Sequence, residues 1–325
     1  MRLELRKCLC RLSRHRSHAE DRGERITYLA KWFTPEILAD IERLRHAAQA
    51  CDEPAASLFL VTASDLLRDW SLQDPGDLRI RRRRTPLPET PFQEAWKAAV
   101  IERLAIIEQV QPLFVRDLPQ SHAMLADSRD SAGVNQRAET FDFAITSPPY
   151  ATALPYIDTQ RLSLVWLGLV GPEEIRSLEA GVLGSREVLS GRKLLVAAMA
   201  DNQASLPDEV AEFCRRLQSR LGKSDGFRRQ AVPLLLYRYL SGMKAAFSNL
   251  HRLLRTGGRM AWVVGVNQTT LGGEQITIDT PELLGRLAAQ AGFAIAKPIV
   301  LQTYHRYSIH QKNSIRQESV ILFQK

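Results

Sequence analysis

Ten residues constrain this chain more than any others: Phe141-Asp142-Phe143-Ala144-Ile145-Thr146-Ser147-Pro148-Pro149-Tyr150. An apolar run that stops abruptly at Ser-Pro-Pro-Tyr predicts a buried parallel strand whose carboxyl end delivers a rigid polar and aromatic tetrapeptide into a crevice. Ligands of open α/β sheets bind at such strand ends. Consecutive prolines have a fixed φ and no N–H to donate, so their carbonyls project stiffly and form an acceptor site.

The chain around this stretch has 325 residues and 45% hydrophobic content, enough for one large core or for a core with an inserted subdomain. Its formal charge of +8 suits a polyanionic partner, and it also suits an ordinary cytosolic enzyme. Cys8, Cys10, Cys51 and Cys214 make no disulfide framework, and the single C-x-C has no second pair to complete a zinc site, so no metal is expected. A reducing, cytoplasmic setting follows. No run of about 18 apolar residues is long enough to span a membrane, and the basic N-terminus has no apolar core of a signal peptide.

Residues 1–30 carry eight Arg or Lys against four acids, half of the net excess, without clear periodicity. They read as a basic tail or as a nucleic-acid arm. Residues 31–120 form a helical segment. Thr34 is the expected N-cap and Pro35 the first helical residue, with Ile37, Leu38, Ile41 and Leu44 on one face. A second helix runs over Ser57 to Trp70 and stops at Asp74-Pro75-Gly76-Asp77, and a third covers 92–110 with Trp96, Val100, Leu104 and Ile107 inward. Between them stands Arg79-Ile80-Arg81-Arg82-Arg83-Arg84, followed by a proline-rich stretch. That strip is either a solvated linker or a phosphate-contacting surface, since guanidinium forks match phosphate and counterion release drives binding.

Residues 121–170 read as a strand and helix core: a short strand over His122 to Asp127, the Phe141 strand, and a helix from Asp158 to Leu169. Residues 171–230 have weak periodicity and read as an insertion suited to target recognition. In 231–325, Leu236, Leu240, Met243, Phe247, Leu250 and Leu254 mark one helical face, Gly257-Gly258 the helix stop, and Met260 to Val264 the next strand. Thr280-Pro281-Glu282 starts a helix that ends at Gly292, and strands near Ile299 to Tyr304 and Glu318 to Phe323 close a doubly wound α/β sheet.

Chemically, the tetrapeptide suits a planar amine. The lone pair of a nucleobase exocyclic amine is conjugated with the ring, and acceptors that hold its two hydrogens favour the tetrahedral form in which the lone pair can attack. The Ser147 side chain and the Pro148 carbonyl can supply those acceptors, and Tyr150 can stack on a base that has left the helix.

Ser147, Pro148, Pro149 and Tyr150 after an apolar strand resemble the catalytic motif of the amino-methylating DNA methyltransferases. Trp32-Phe33-Thr34-Pro35-Glu36, Asp74 to Arg83, Asp127-Ser128-Arg129, Tyr156 to Leu169, Gly184-Ser185-Arg186-Glu187, Leu254 to Arg259 and Glu318 to Leu322 extend the resemblance over about residues 30 to 325. It implies a class I methyltransferase sheet of order 3-2-1-4-5-7-6, S-adenosylmethionine as cofactor, and double-stranded DNA methylated at cytosine N4 or adenine N6. Ser147 to Tyr150 would be catalytic. Asp127 would contact the adenine amine of the cofactor, or else is an ordinary turn residue. Arg79, Arg81, Arg82, Arg83 and Arg84 would contact DNA.

One departure matters. The family's Asp-Pro-Phe-x-Gly-x-Gly loop, where glycine lets the backbone approach the cofactor, has no counterpart here; Gly23, Gly76 and Gly133 stand isolated. The first two strands of the sheet are therefore expected to be missing, and an upstream polypeptide to supply the motif. The competing expectations are a catalytically silent DNA-binding remnant and an amino-methyltransferase of RNA or of protein amides.

Overall fold

The structure, a computed structural model, describes residues 1–14, 23–113, 121–130, 138–151, 155–186, 188, 191–296, 298–301 and 318–325. The chain divides into two compact units, Met1–His122 with Tyr156–Leu178, and Ala123–Pro155 with Glu179–Lys325.

The first unit is helical: α1 (Arg2–Arg14), α2 (Glu24–Leu29), α3 (Pro35–Gln49), α4 (Ala55–Leu66), α5 (Phe92–Val110) and α6 (Tyr156–Leu167). Its first helix departs from the expected tail. Leu5, Cys8 and Leu12 fall three and four residues apart and are buried, and α1 packs on α3. The stripe is thin and flanked by arginines, so charge masks it in the sequence. Burial, with Cys51 beside it, raises the Cys8 thiol to about 12. At α3 the Thr34 hydroxyl accepts from the Ile37 N–H at 3.4 Å and Pro35 opens the first turn, as the sequence predicts. Trp96, Val100 and Leu104 of α5 are buried, whereas Ile107 is exposed, because the helix has left the packed layer by its last turn.

The second unit is built on a sheet. Its elements are β1 (Phe141–Thr146), α7 (Ile175–Gly181, which begins in the first unit), α8 (Arg192–Ala200), α9 (Asp208–Ser219), α10 (Phe227–Leu253), β2 (Leu254–Gly265), β3 (Asn267–Leu271), β4 (Glu274–Ile278), α11 (Thr280–Gln290), β5 (Ala294–Ile295), β6 (Ile299–Leu301) and β7 (Glu318–Gln324). The order is β1-β2-β7, and β5 and β6 occupy one further strand position on β7. β1 and β2 are parallel, and β7 is antiparallel to β2 and to β5 and β6. This mixed α/β arrangement matches the 4-5-7-6 part of the order that the resemblance implies. Among the described residues, nothing pairs with the other edge of β1.

One face of the sheet carries the core. Phe247 of α10 stacks on Trp262 of β2 with ring centroids 4.2 Å apart, and Phe293 and Phe323 meet Phe247 edge-on. Residues 171–230, read as weakly periodic, contribute to this core. Val210, Cys214 and Leu217 recur along one buried face of α9, and burial raises the Cys214 thiol to about 12.

Three local expectations change. His122 to Asp127 form no strand; they are irregular and exposed, because no described neighbour offers them a ladder. Gly257-Gly258 do not directly stop a helix: α10 ends at Leu253, and Gly257, at φ +74°, lies inside β2 where the register to β1 slips. The β3–β4 hairpin was not anticipated, although its turn residues Gly272 and Gly273, at φ +59° and +86°, are its sequence signal. Of the two closing strands, β6 ends at Leu301 and residues 302–317 lie outside the described residues.

Candidate functional site

β1 ends where expected and is parallel to β2, although it is largely exposed rather than buried, because among the described residues nothing pairs with its other edge; the tetrapeptide leaves its carboxyl end beside β2. Three side-chain bonds fix its course. The Ser147 hydroxyl donates to the Val263 carbonyl at 3.2 Å, the Tyr150 hydroxyl donates to Glu318 Oε1 at 2.6 Å, and the Asn267 amide donates to the Ala151 carbonyl at 2.9 Å. Val263, Glu318 and Asn267 sit at neighbouring ends of β2, β7 and β3, so paired strands hold the loop from one side. Pro148 and Tyr150 are buried, Tyr150 to 8% exposure, while Ser147 is exposed at the strand end.

A hydroxyl has one proton and two lone pairs. With the proton directed to Val263, the Ser147 oxygen faces any incoming group as an acceptor. The site therefore suits a donor, such as an N–H.

Asp127 lies in a turn rather than at a strand end. Its carboxylate accepts from the Arg129 backbone N–H at 2.9 Å and from the Arg129 guanidinium at 2.6 to 3.1 Å, which holds the acid at about 2. Arg129 also donates to the Gly181 carbonyl, and Asn249 of α10 donates to the Ser128 carbonyl. The turn is thus pinned to α10, with Asp127 bonded internally.

The arginine strip belongs to the helical unit and is fastened to it. Arg79 and Arg81 pair with Asp77 at 3.2 and 3.0 Å, Arg82 lies over the Trp32 ring at 5.0 Å, and Arg83 donates to the Asp69 and Ser71 carbonyls. Arg81 and Arg84 remain exposed. Among the described residues no cluster of His, Cys, Asp or Glu could hold a metal, and no helix is long and apolar enough to cross a membrane.

No protein-family profile matches the chain. The type II methyltransferase M.AvaI of Nostoc sp. (strain PCC 7120) is 27% identical over 169 residues, which are 50% of this chain and 33% of that protein; M.AvaI of Anabaena variabilis matches to the same extent. Over half of its length the chain is thus similar to type II methyltransferases. It spans about a third of the length of these curated relatives. Among solved structures it is similar to TTHA0409 of Thermus thermophilus, a candidate DNA modification methylase. The form complexed with S-adenosyl-L-methionine is 16% identical, covering 62% of this chain and 54% of that one at a TM-score of 0.32.

For a methyltransferase, the described residues make an unequal site. They fit an amine acceptor. They do not by themselves fit S-adenosylmethionine: among the described residues no glycine-rich turn joins a strand to a following helix, and the carboxylate at 127 is already bonded to Arg129. Sequence reasoning also missed the residues that hold the loop. Glu318 was visible only as part of a longer resembling stretch, and Asn267 had no local signal, because the partner of each lies more than 100 residues away in the chain.

Proposed function

We propose that this chain is the target-base half of a DNA amino-methyltransferase, acting on the exocyclic amine of a cytosine or adenine swung out of the duplex, with S-adenosylmethionine as methyl donor. The observation that carries the reading is the Ser147 hydroxyl, whose proton is directed to Val263 and whose oxygen stands as an acceptor at an exposed parallel-strand end. Ser147 and the Pro148 carbonyl take the two amine hydrogens and draw the nitrogen toward its tetrahedral form. Tyr150, anchored by Glu318, provides the aromatic wall against which the base packs. The identity between this chain and a type II methyltransferase supports the same reading.

The test is transfer of labelled methyl to duplex DNA by the assembled protein. Label in exocyclic amines of DNA is expected; label in RNA alone would overturn the DNA reading. The bonding of Asp127 to Arg129 favours a second reading, a silent DNA-binding remnant. DNA binding without methyl transfer in any assembly would establish it.

Arg81 and Arg84 are assigned here to phosphate. Replacing both by Gln is expected to weaken DNA binding and lower the slope of log affinity against log salt by about 2, roughly 0.9 per phosphate contact. An unchanged slope would remove the strip from the interface. Arg83 is a poor probe, since its loss leaves two carbonyls unpaired and destabilises the unit instead.

A further inference from the structure

Two of the four cysteines meet in the helical unit, where α1 packs on α3. Cys8 lies in the middle of the buried stripe of α1 and has no exposed surface. Glu4 and Arg11, one turn before it and one turn after, share its side of the helix. Both reach the corner that ends α3. The Glu4 carboxylate accepts from the Asp52 backbone N–H at 3.4 Å, and the Arg11 guanidinium donates to the Cys51 Sγ at 3.3 Å. Cys8, between them, therefore faces Cys51, and the two thiols are close enough to hydrogen-bond.

The two sulfurs differ in what surrounds them. Cys51 keeps 9% exposure, carries a guanidinium against its sulfur, and directs its thiol proton to the Ala47 carbonyl at 3.4 Å. A cation at sulfur stabilises the thiolate, the form that attacks an oxidant. Cys8 stays protonated, because burial with Cys51 beside it pushes its thiol up to about 12. It is placed to complete a reaction rather than to begin one. Cys10 is exposed on another side of α1.

We infer that, independently of the methyltransferase reading, Cys8 and Cys51 form a dithiol that a hydroperoxide oxidises to a disulfide, stapling α1 to the end of α3. The Cys51 thiolate attacks the terminal oxygen of the peroxide. An S–O bond forms, the O–O bond breaks, and the other oxygen departs with the Cys51 proton as an alcohol, or as water from hydrogen peroxide. The Cys8 sulfur then attacks the sulfenic sulfur of Cys51. An S–S bond forms, the S–O bond breaks, and the hydroxyl leaves with the Cys8 proton as water. The two thiols supply both electrons that reduce the peroxide.

The test uses the full chain carrying Cys10→Ser, reduced, freed of reductant and treated with hydrogen peroxide. Residue 10 is exposed, so this substitution leaves the fold unchanged. Peptide mass spectrometry should find Cys8 linked to Cys51 within one chain, with the loss of two hydrogens, reversed by dithiothreitol. Adding Cys8→Ala should leave Cys51 as a sulfenic acid trapped by dimedone, and adding Arg11→Gln should slow the linkage about tenfold. Amides of residues 5–12 should exchange at least about tenfold more slowly in the oxidised chain, because the link prevents α1 from separating from α3.

A peroxide-treated chain without the link, Cys51 driven to sulfinic acid while Cys8 stays reduced, or dimedone on Cys8 rather than Cys51 overturns the pairing. An unchanged rate in the Arg11 variant overturns the activation of Cys51, and unchanged amide exchange overturns the staple. Should the added variants misfold, the link within the Cys10→Ser chain decides by itself.

Discussion

Ser147→Ala is expected to lower methyl-transfer turnover of the active assembly by roughly 10²- to 10³-fold, the usual loss when one preorganised polar group at a reacting centre is removed. DNA affinity should stay within about twofold, because phosphate contacts dominate it and residue 147 is not one of them. The change should also leave the fold intact. Ser147 is exposed, and the Val263 carbonyl it releases can bond to water. Single-turnover kinetics with saturating DNA measure the effect. A variant with full turnover would show that the hydroxyl does not hold the amine, and the acceptor mechanism would fall with it.

Phe247→Ala is expected to destabilise the sheet unit by about 3–5 kcal/mol, the range for truncating a buried aromatic. Phe247 is fully buried and touches Trp262, Phe293 and Phe323, so its loss opens a cavity beneath β2 and β7 together. Urea unfolding followed by circular dichroism measures the loss. A cost under about 1 kcal/mol would mean that the sheet is not held through this cluster. The consequence reaches function. Trp262 precedes Val263, whose carbonyl positions Ser147, so loosening β2 also loosens the acceptor site.

Much of the fold was legible because short-range pattern and long-range packing agree. Thr34 and Pro35 start a helix through local hydrogen bonding and a preset φ. Leu236, Leu240, Met243 and Phe247 share a face of α10 because their spacing matches the helical period. Where the two disagree, the reading failed. Arginines hid the stripe of Leu5, Cys8 and Leu12 in α1. His122 to Asp127 have a strand's composition without a described neighbour to pair with. Asp279, not Thr280, caps α11 through the Glu282 N–H, a one-residue shift that the adjacent Thr disguises.

The sequence by itself determined the apolar strand, the proline-stiffened tetrapeptide and the missing glycine turn, because backbone restriction and strand composition are properties of residues close together in the chain. Tertiary structure alone decided which way the Ser147 proton points, that Glu318 holds Tyr150, and that Phe143 and Ile145 are left facing outward. Each of these depends on partners more than 100 residues distant, or on the lack of a described one, and on which edge and face of a sheet the chain happens to fill. No local pattern encodes that.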